Sequence, residues 1–382
     1  MILNFDISKE YFQENILYKK PFIFKNCFYN NDISWEYINE VYSRANFSHR
    51  NFKLMNGYEV PKEEYIESYK NVGIIEYKCI EPVLYEYLRN GATLVHNRIK
   101  NEPKIDNISR QIANFANAQT ITSGYAAFSS KSSYKSHWDT RDVYAVQLIG
   151  KKRWIIKAPN FPNPLYMQQT KHFEGIEEPQ DVYMDIILEP GDVLYIPRGW
   201  WHNPLPLDGE TFHLAIGTFP PTGFEYTLWI QNLIPNIIES RKNLKEFDAD
   251  ISTIENISND LSLALKNKEN YESFMMDYLG EHRTPSKLSL DKLGNNKVNS
   301  FEKNQKIFLN ANLLYLFENN YVVINGNKIK TDEISLSLIK FLFKNQGTTV
   351  GDILEKFSNQ NPEKINKLIF NLAIQNVISL NM

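Results

Sequence analysis

The chain has 382 residues, of which 42% are hydrophobic and 23% are charged, and its formal net charge is −3. This length predicts two or three domains, and the composition excludes a disordered chain. The small net charge excludes a general electrostatic attraction to nucleic acid.

Residues 1 to about 115 have a mixed pattern. "DISKEYFQENIL" has a capping-type start and helical spacing, and "KKPFIFKN" alternates like a short strand. "ISWEYINEVYSRA" and "KIDNISRQIANFA" predict further helices. Cys27 and Cys79 are isolated in the sequence, which favours neither a disulfide framework nor a cysteine metal site.

Residues from about 119 to 219 have the pattern of short strands. The alternating stretches are "VYAVQLI", "RWIIKA", "MDIILEPGDVLYIP" and "HLAIGTF", and Gly, Pro and Asn turn signals separate them. This pattern predicts an antiparallel sheet or barrel.

The pattern returns to helix after "FPPTG". Apolar residues three and four apart mark "EYTLWIQNLIPNIIESRKNL", "ISTIENISNDLSLALKN" and "YESFMMDYLGEHR". Residues 284 to 300 are typical of a linker. "YVVINGNKIKT" then predicts a hairpin around its Asn-Gly pair, and three helices follow it, which together fit a small winged-helix-like module.

The chain start and the hydropathy pattern bear on localisation. No window approaches the roughly 18 uninterrupted apolar residues of a membrane span, and the start lacks a signal-peptide pattern. We therefore expect a cytoplasmic protein.

"SHWDTRD" holds His137 and Asp139 one residue apart. On a strand or its rim, the period of two would point both side chains to the same face, where they could grip one ion. A solvated turn is the alternative, because His-x-Asp alone is a common sequence.

A second stretch, "EPGDVLYIPRGWWHNP", favours the metal interpretation. Its Pro-Gly-Asp turn starts a short apolar strand that is predicted to end at His202, 65 residues after His137. Two imidazoles and one carboxylate are the facial triad of non-haem iron(II) oxygenases, which leaves coordination positions open. A chelating 2-oxoacid and dioxygen need those positions.

"LIGKKRWIIK" offers a cation for such a 2-oxoacid. On a strand, Lys152, Trp154 and Ile156 share one face, so Lys152 would lie among apolar neighbours. A buried lysine is costly unless an anion neutralises it, which predicts a carboxylate partner. The alternative is that Lys151 and Lys152 are exposed hairpin residues.

These motifs together resemble the JmjC-type cupin 2-oxoglutarate oxygenases, and among them most closely the bacterial and eukaryotic ribosomal oxygenases. The resemblance implies that His137, Asp139 and His202 are the iron ligands. It also implies that Lys152, fifteen residues after His137, holds the far carboxylate of 2-oxoglutarate. "YFQENILYKKPFIFKN" and "TFHLAIGTF" are similar to the opening segment and the final core strand of the family.

The resemblance also implies the architecture, an α+β fold. Residues 1–222 are expected to form a double-stranded β-helix (jelly-roll, cupin) core of the JmjC type with N-terminal helices. Residues 223–305 are expected to form a helical dimerisation region and a linker, and residues 306–382 a winged-helix-like domain. The wide apolar faces of the helical region include Trp229, Ile230, Leu233, Ile237 and Ile238, and packing against the barrel within one chain is the alternative to dimerisation.

Three further side chains are candidates for co-substrate binding by resemblance. Tyr125 and Tyr134 precede the first ligand and could hydrogen-bond a carboxylate, although packing in the core explains them equally well. His213 in "FHLAIG" matches a histidine of the family's strand, and a supporting or core position is preferred to a metal-ligand position. Trp138, Trp200 and Trp201 flank the ligands and are expected to exclude water.

The resulting prediction is an enzyme that uses Fe(II), 2-oxoglutarate and O2 to hydroxylate an amino-acid side chain of a protein or peptide. The resemblance implies an Arg or His side chain of a ribosomal protein, and a homodimeric enzyme. Hydroxylation of a biosynthetic precursor peptide and N-methyl demethylation remain open. Two other hypotheses are a cupin that binds another metal and uses no 2-oxoacid, and a non-catalytic cupin whose winged-helix tail contacts nucleic acid. The tail lacks the dense basic stripe that is expected of direct nucleic-acid binding.

Overall fold

The computed structural model describes residues 1–29, 32–129, 133–281, 288, 290, 300–311, 314–317 and 320–380. The chain divides into two compact units, Met1–Phe219 and Pro220–Met382. The linker predicted at 284 to 300 lies outside the described residues except for positions 288, 290 and 300. Within the described part of the chain, no helix is both long enough and apolar enough to cross a bilayer.

The helices of the first unit lie mostly before its main strands. They are α1 (Lys9–Asn15), α2 (Trp35–Ser43), α3 (Lys62–Tyr65), α4 (Glu81–Arg89) and α5 (Pro103–Ala116). The capping-type start predicted for α1 is confirmed, because Ser8 accepts a hydrogen bond from the Tyr11 amide. Ser34 caps α2 in the same way and accepts a hydrogen bond from the Tyr37 amide.

The strands of the first unit are β1 (Phe22–Phe24), β2 (Phe52–Met55), β3 (Ile66–Asn71), β4 (Ile74–Cys79), β5 (Thr93–Ile99), β6 (Gln119–Ala127), β7 (Val143–Lys157), β8 (Val182–Leu188), β9 (Val193–Ile196) and β10 (Trp201–Phe219). The main sheet has the order β1-β9-β7-β10-β6-β5-β2, with β8 also paired to β7, and its pairs are antiparallel. The antiparallel sheet predicted from residue 119 onward is therefore confirmed. β3 and β4 form a separate hairpin.

Two long strands bend and run through both halves of this sheet. The first part of β7 pairs with β9 and with the end of β10, whereas its second part pairs with β8 and with the start of β10. The bend in β7 is at Gly150, whose φ is 64°. The prediction of two short strands separated by a turn is wrong here, because the structure has one continuous strand. Glycine adopts the left-handed conformation at low cost, so the strand continues through Gly150.

The core of the first unit lies between the helices and the sheet. Phe12 of α1 meets Tyr195 of β9 edge to face, with ring centroids 5.1 Å apart, and Phe5 stacks on Phe115 of α5 at 3.8 Å. These buried aromatic contacts hold the sheet against the helical layer.

The helices of the second unit are α6 (Gly223–Gln231), α7 (Phe247–Lys266), α8 (Lys268–Leu279), α9 (Glu333–Lys344), α10 (Val350–Lys356) and α11 (Pro362–Ile374). The long helix predicted from residue 225 is wrong beyond α6. Short 3-10 turns at Ile234–Asn236 and Glu239–Arg241 replace it, since Pro235 cannot continue a regular helix.

The strands of the second unit are short. They are β11 (Lys306–Leu309), β12 (Leu314–Leu316), β13 (Tyr321–Ile324), β14 (Asn327–Lys330), β15 (Thr348–Thr349) and β16 (Ile378–Ser379). The predicted hairpin is confirmed at β13 and β14, where Asn325 and Gly326 both have positive φ. β11 pairs with β15 and with β16, and α9, α10 and α11 share a hydrophobic core with it.

Candidate metal centre

Backbone pairing brings the three predicted ligands together. The sequence predicted that His202 ends a strand, but that strand, β9, ends at Ile196, and His202 lies at the start of β10. His137 lies outside a regular strand, in an isolated antiparallel bridge to His202. The His137 amide donates to the His202 carbonyl at 3.2 Å, and the His202 amide donates back at 2.8 Å. The ligating atoms of His137, Asp139 and His202 all lie within 4.8 Å of one another.

Each histidine is oriented by a carbonyl oxygen. Nδ1 of His137 lies 2.8 Å from the Lys135 carbonyl, and Nδ1 of His202 lies 3.0 Å from the Trp200 carbonyl. A carbonyl can only accept a hydrogen bond, so Nδ1 carries the proton in both rings. The lone pair of each imidazole is therefore on Nε2, and Nε2 of His202 lies 3.8 Å from a carboxylate oxygen of Asp139.

The charges at the cluster suit a divalent cation. Burial opposes ionisation of Asp139, but His202, His137 and Arg141 hold the pKa of its carboxyl below the ordinary value. Burial and the nearby His137 lower the pKa of His202. A carboxylate and neutral imidazoles are the protonation states in which these residues bind metals. This cluster of two nitrogens and one carboxylate could hold a single ion.

Trp138 lies between the two candidate ligands in the sequence and packs among aromatic rings. It is 2% exposed, its indole N–H donates to the Gln168 carbonyl at 2.9 Å, and its ring meets Trp201 edge to face at 4.9 Å. The backbone amide of Trp138 donates to the Thr170 hydroxyl. These contacts fix the segment that carries His137 and Asp139. Their ligating atoms lie close together, as predicted, although the segment is no regular strand.

Lys152 lies on the buried face of β7. Lys152, Trp154 and Ile156 are all buried, whereas Lys151 and Arg153 are exposed. The burial predicted from the alternation is confirmed, and the exposed-hairpin alternative for Lys152 is wrong. Its ammonium nitrogen lies 3.0 Å from Nδ1 of His213, and burial lowers the pKa of Lys152 to about 7.

His213 is oriented by aromatic neighbours. Its ring stacks on Tyr125 with centroids 4.9 Å apart and meets Trp154 edge to face at 5.5 Å. The structure therefore places His213 beside Lys152, and the cluster of candidate metal ligands does not include it. Burial lowers the pKa of His213, and Lys152 lowers it further, so the ring is neutral and its Nδ1 accepts from Lys152.

A small cavity of about 60 Å³ joins these groups. His137, Asp139 and His202 line it together with Lys152, His213, Tyr125 and Tyr134. The structure thus brings together all the side chains that were predicted as metal ligands or as candidates for co-substrate binding. Thr93 and Ser133 also line the cavity and share a buried hydrogen bond, and the sequence analysis missed both, since an isolated Thr or Ser carries no pattern.

A larger cleft of about 710 Å³ shares Tyr125, Ser133, Tyr134, His137 and Asp139 with the small cavity. Its lining also comes from residues 50 to 59, from the end of β5 and from residues 169 to 171. The sequence analysis missed this cleft, because those segments are far apart in the chain.

Residues 94–226, which contain the three candidate metal ligands, match the family model of the JmjC domain. The bifunctional lysine-specific demethylase and histidyl-hydroxylase NO66 of Drosophila persimilis is 31% identical over 107 residues, which is 28% of this chain and 15% of that protein. Human Ribosomal oxygenase 1 is 32% identical over 88 residues, which is 22% of this chain and 14% of that protein. The chain thus spans less than a sixth of these relatives.

Solved structures of the Escherichia coli ribosomal oxygenase YcfD share the fold along the chain. One is 14% identical with a TM-score of 0.63 and covers 100% of both chains. Another, a complex with cobalt and 2-oxoglutarate, is 14% identical with a TM-score of 0.61 and covers 99% of both chains. The resemblance predicted from the sequence is therefore confirmed for the domain and for the fold.

Proposed function

We propose that this protein is an Fe(II)- and 2-oxoglutarate-dependent oxygenase that hydroxylates an amino-acid side chain of a protein or peptide. The observation that carries the proposal is the cluster of His137, Asp139 and His202, whose ligating atoms lie within 4.8 Å of one another beside a buried lysine. The JmjC domain and the relatives named as hydroxylases and oxygenases support it.

The side chains fit iron(II) by their chemistry. Imidazole nitrogens and one carboxylate are the donor set of non-haem iron(II) oxygenases. The carbonyls of Lys135 and Trp200 hold the Nδ1–H groups, so both Nε2 atoms are available to the ion. His137, Asp139 and His202 would hold the iron, which when bound supplies the oxygen activation that is coupled to decarboxylation of 2-oxoglutarate.

Lys152 fits the far carboxylate of 2-oxoglutarate. It lines the same small cavity as the three candidate ligands, and no carboxylate partner for it appears among the residues that the structure describes. A buried ammonium group gains a partner when that anion binds, and the anion favours the protonated lysine. His213 holds Lys152 in place, and Tyr125 and Tyr134 are hydroxyl donors for the co-substrate.

Buried aromatic rings keep water from the rear of the site. Trp138 and Trp201 pack behind the segment that carries His137 and Asp139, and Trp154 packs against both His202 and His213. A dry pocket limits side reactions of a reactive oxidant. The target side chain would enter from the larger cleft, which shares a wall with the small cavity.

The class of substrate follows from the relatives' names. NO66 is named as a lysine-specific demethylase and histidyl-hydroxylase, and YcfD as a ribosomal oxygenase. For this chain we propose a protein or peptide substrate, with an Arg or His side chain of a ribosomal protein as one candidate. A biosynthetic precursor peptide remains the alternative, and demethylation would proceed by the same hydroxylation of an N-methyl carbon.

The test is the conversion of 2-oxoglutarate to succinate by the full-length, iron-loaded protein. Asp139→Ala removes the carboxylate donor and should lower both metal affinity and turnover by about 100-fold or more. Isothermal titration with cobalt(II) and mass spectrometry of succinate measure the two effects.

Asp185→Asn is the matched control for this test. Asp185 is a half-exposed carboxylate paired with Arg153 outside both cavities, and its loss should change turnover by less than about twofold. The oxygenase proposal is wrong if the iron-loaded protein neither binds nor consumes 2-oxoglutarate. That result would favour a cupin with another metal or a non-catalytic binding protein.

We propose further that the helical region 223–305 forms a homodimer interface. α7 exposes Phe247, Ile251 and Ile254, which follow one another at spacings of four and three residues on one face of the helix. Of the apolar residues first predicted for this interface, Ile230 is 1% exposed and Ile238 is 67% exposed, so the former packs within its own unit.

We also propose that residues 306–382 are a winged-helix-like module. The support is the arrangement of three helices around the small β15-β11-β16 sheet, with the β13–β14 hairpin beside it in the chain. The division at residue 305 stays a prediction, as does a cytoplasmic location. The module has no proposed nucleic-acid role.

A further inference from the structure

The larger cleft is strongly basic, although the chain as a whole carries a net charge of −3. Its lining includes six basic side chains, Arg50, Lys53, Arg98, Lys135, Arg141 and Lys171, and two carboxylates, Glu59 and Asp139. A concave wall of one charge sign concentrates the field and attracts ligands of the opposite sign.

Most of these basic groups are not neutralised within the protein. Lys53 pairs with Glu59 at 3.8 Å, and Arg141 lies over the Phe219 ring. Arg50, Arg98, Lys135 and Lys171 are exposed, and no ion pair involves them within the described parts of the chain. The two carboxylates are already committed, Glu59 to Lys53 and Asp139 to the histidine cluster.

We infer that this cleft binds an acidic peptide segment, so that the side chain presented to the metal centre is flanked by Asp and Glu residues. The inference deepens the proposed function, on which it rests for the peptide nature of the substrate. It defines the charge of the segment and not the protein that carries it.

The lining favours a peptide over single-stranded nucleic acid. Sequence-tolerant nucleic-acid grooves combine basic residues with exposed aromatic rings on which bases stack. The aromatic side chains in this lining are Tyr125, Tyr134 and Trp138, and their rings are engaged with His213, His137 and Trp201. The described lining can therefore attract an anionic ligand by charge, but it offers no unengaged aromatic ring on which a base could stack.

The cleft would recognise that peptide through side chains, and not by pairing it as an added strand with the edge of the main sheet. β2 ends the main sheet and lines the cleft, but the Leu54 amide donates to the Tyr65 hydroxyl and the Leu54 carbonyl accepts from the Val60 amide. The ammonium group of Lys62 donates to the Phe52 carbonyl. The free edge of β2 is thus already capped, and the basic side chains remain as the recognition groups.

Fluorescence anisotropy of the full-length protein tests the inference. The probes are labelled peptides of equal length built from Glu and Gly, from Gln and Gly or from Lys and Gly, and a labelled oligouridylate of matching length. The wild-type protein should bind the Glu peptide most tightly. The triple variant Arg50→Glu, Arg98→Asp and Lys171→Glu should weaken that binding about tenfold or more. Aspartate is used at position 98 because its φ of 54° is better tolerated by Asp than by Glu.

The matched control reverses three exposed basic residues outside the cleft, in Lys20→Glu, Lys70→Glu and Arg89→Glu. It makes the same change in net charge and should alter binding of the Glu peptide less than about threefold. The cleft variant should also gain affinity for the Lys peptide. Misfolding cannot produce that gain.

The inference is overturned if wild-type protein binds the Lys peptide or the oligouridylate as tightly as the Glu peptide, or does not bind the Glu peptide at low salt. It is equally overturned if the two triple variants behave alike. Because anisotropy requires neither metal nor 2-oxoglutarate, acidic-peptide binding without turnover contradicts only the proposed function. Turnover without charge preference contradicts only this inference.

Discussion

At the metal centre, the main chain decides which nitrogen of each histidine is available. The carbonyls of Lys135 and Trp200 accept the Nδ1–H groups, so the Nε2 lone pairs of His137 and His202 are aimed by groups that no side-chain substitution removes. Among the described residues, it is His202, His137 and Arg141 that keep the Asp139 carboxyl ionised against the effect of burial. The carboxylate is therefore the member of the cluster whose loss most directly changes its charge.

If Lys152 holds the far carboxylate of 2-oxoglutarate as proposed, the affinity for 2-oxoglutarate depends on pH. Burial lowers the pKa of this lysine to about 7 in the protein without an anion. Below pH 7 the ammonium form is present and attracts the carboxylate, and above pH 7 the protein must first take up a proton. The affinity of wild-type protein should therefore fall as the pH rises above 7, by at most about tenfold per pH unit.

Lys152→Met isolates this effect, because the variant keeps the metal-binding side chains and their own titration. Isothermal titration of 2-oxoglutarate into cobalt-loaded protein should show the largest advantage of the wild type below pH 7, and a shrinking advantage above it. If the ratio of the two affinities is constant from about pH 6 to pH 9, Lys152 is not the carboxylate partner.

Among the elements, β7 continues through Gly150 and pairs with β8, β9 and β10 of the main sheet. A Cβ atom added at Gly150 would lie 2.0 Å from the Glu210 carbonyl oxygen, and the φ of 64° is also unfavourable for other residues. Gly150→Ala should therefore lower the free energy of unfolding by about 3 kcal/mol or more, as measured by urea denaturation.

Gly175 gives the matched control, since its φ is 75° and a Cβ atom there would meet nothing within 4 Å. Gly175→Ala should cost about 1 kcal/mol, which reflects the backbone conformation alone. Equal costs at the two positions would show that the contact with Glu210 relaxes without penalty.

The strands also show what the sequence can predict. Alternation predicted the buried face of Lys152, Trp154 and Ile156, because a period of two is a local property of a strand. It did not predict that β7 continues through Gly150 or that His137 forms an isolated bridge with His202. Both depend on pairing with β10, which begins 44 residues after β7 ends, and no local pattern contains that information.

For the whole molecule, the exposed apolar face of α7 leads to a prediction about assembly. Phe247 is 70% exposed, and Ile251 and Ile254 are each 38% exposed. If two copies cover this face, the wild-type protein is a dimer, and Ile251→Glu with Ile254→Glu should shift it to monomer by at least about tenfold in the dissociation constant. Light scattering coupled to size-exclusion chromatography measures the mass.

Asn256→Ala and Asp260→Ala are suitable control substitutions, because both residues are exposed polar positions on the opposite face of the same helix. The control should keep the wild-type mass. A wild-type protein that is monomeric at all concentrations, or a double glutamate variant that remains dimeric, would contradict the proposed interface.

The larger cleft is the part of the candidate site that the sequence could not predict. The metal cluster was predictable because its motifs are compact and match a known family, whereas the cleft is lined by segments between residues 50 and 171. A basic residue in one such segment has no distinguishing signal of its own, and only the fold shows that Arg50, Arg98 and Lys171 share a wall. The acidic preference could not have been inferred before the fold was known.

The reciprocal backbone bridge between His137 and His202 has a consequence for metal exchange in the proposed oxygenase. A centre whose spacing is set by the peptide backbone does not depend on its ion for its shape. On the proposed function, iron lost to a chelator or to oxidation would be replaced without refolding of the chain around the incoming cation. Restoring such a centre would then require a supply of iron and not a newly synthesised chain.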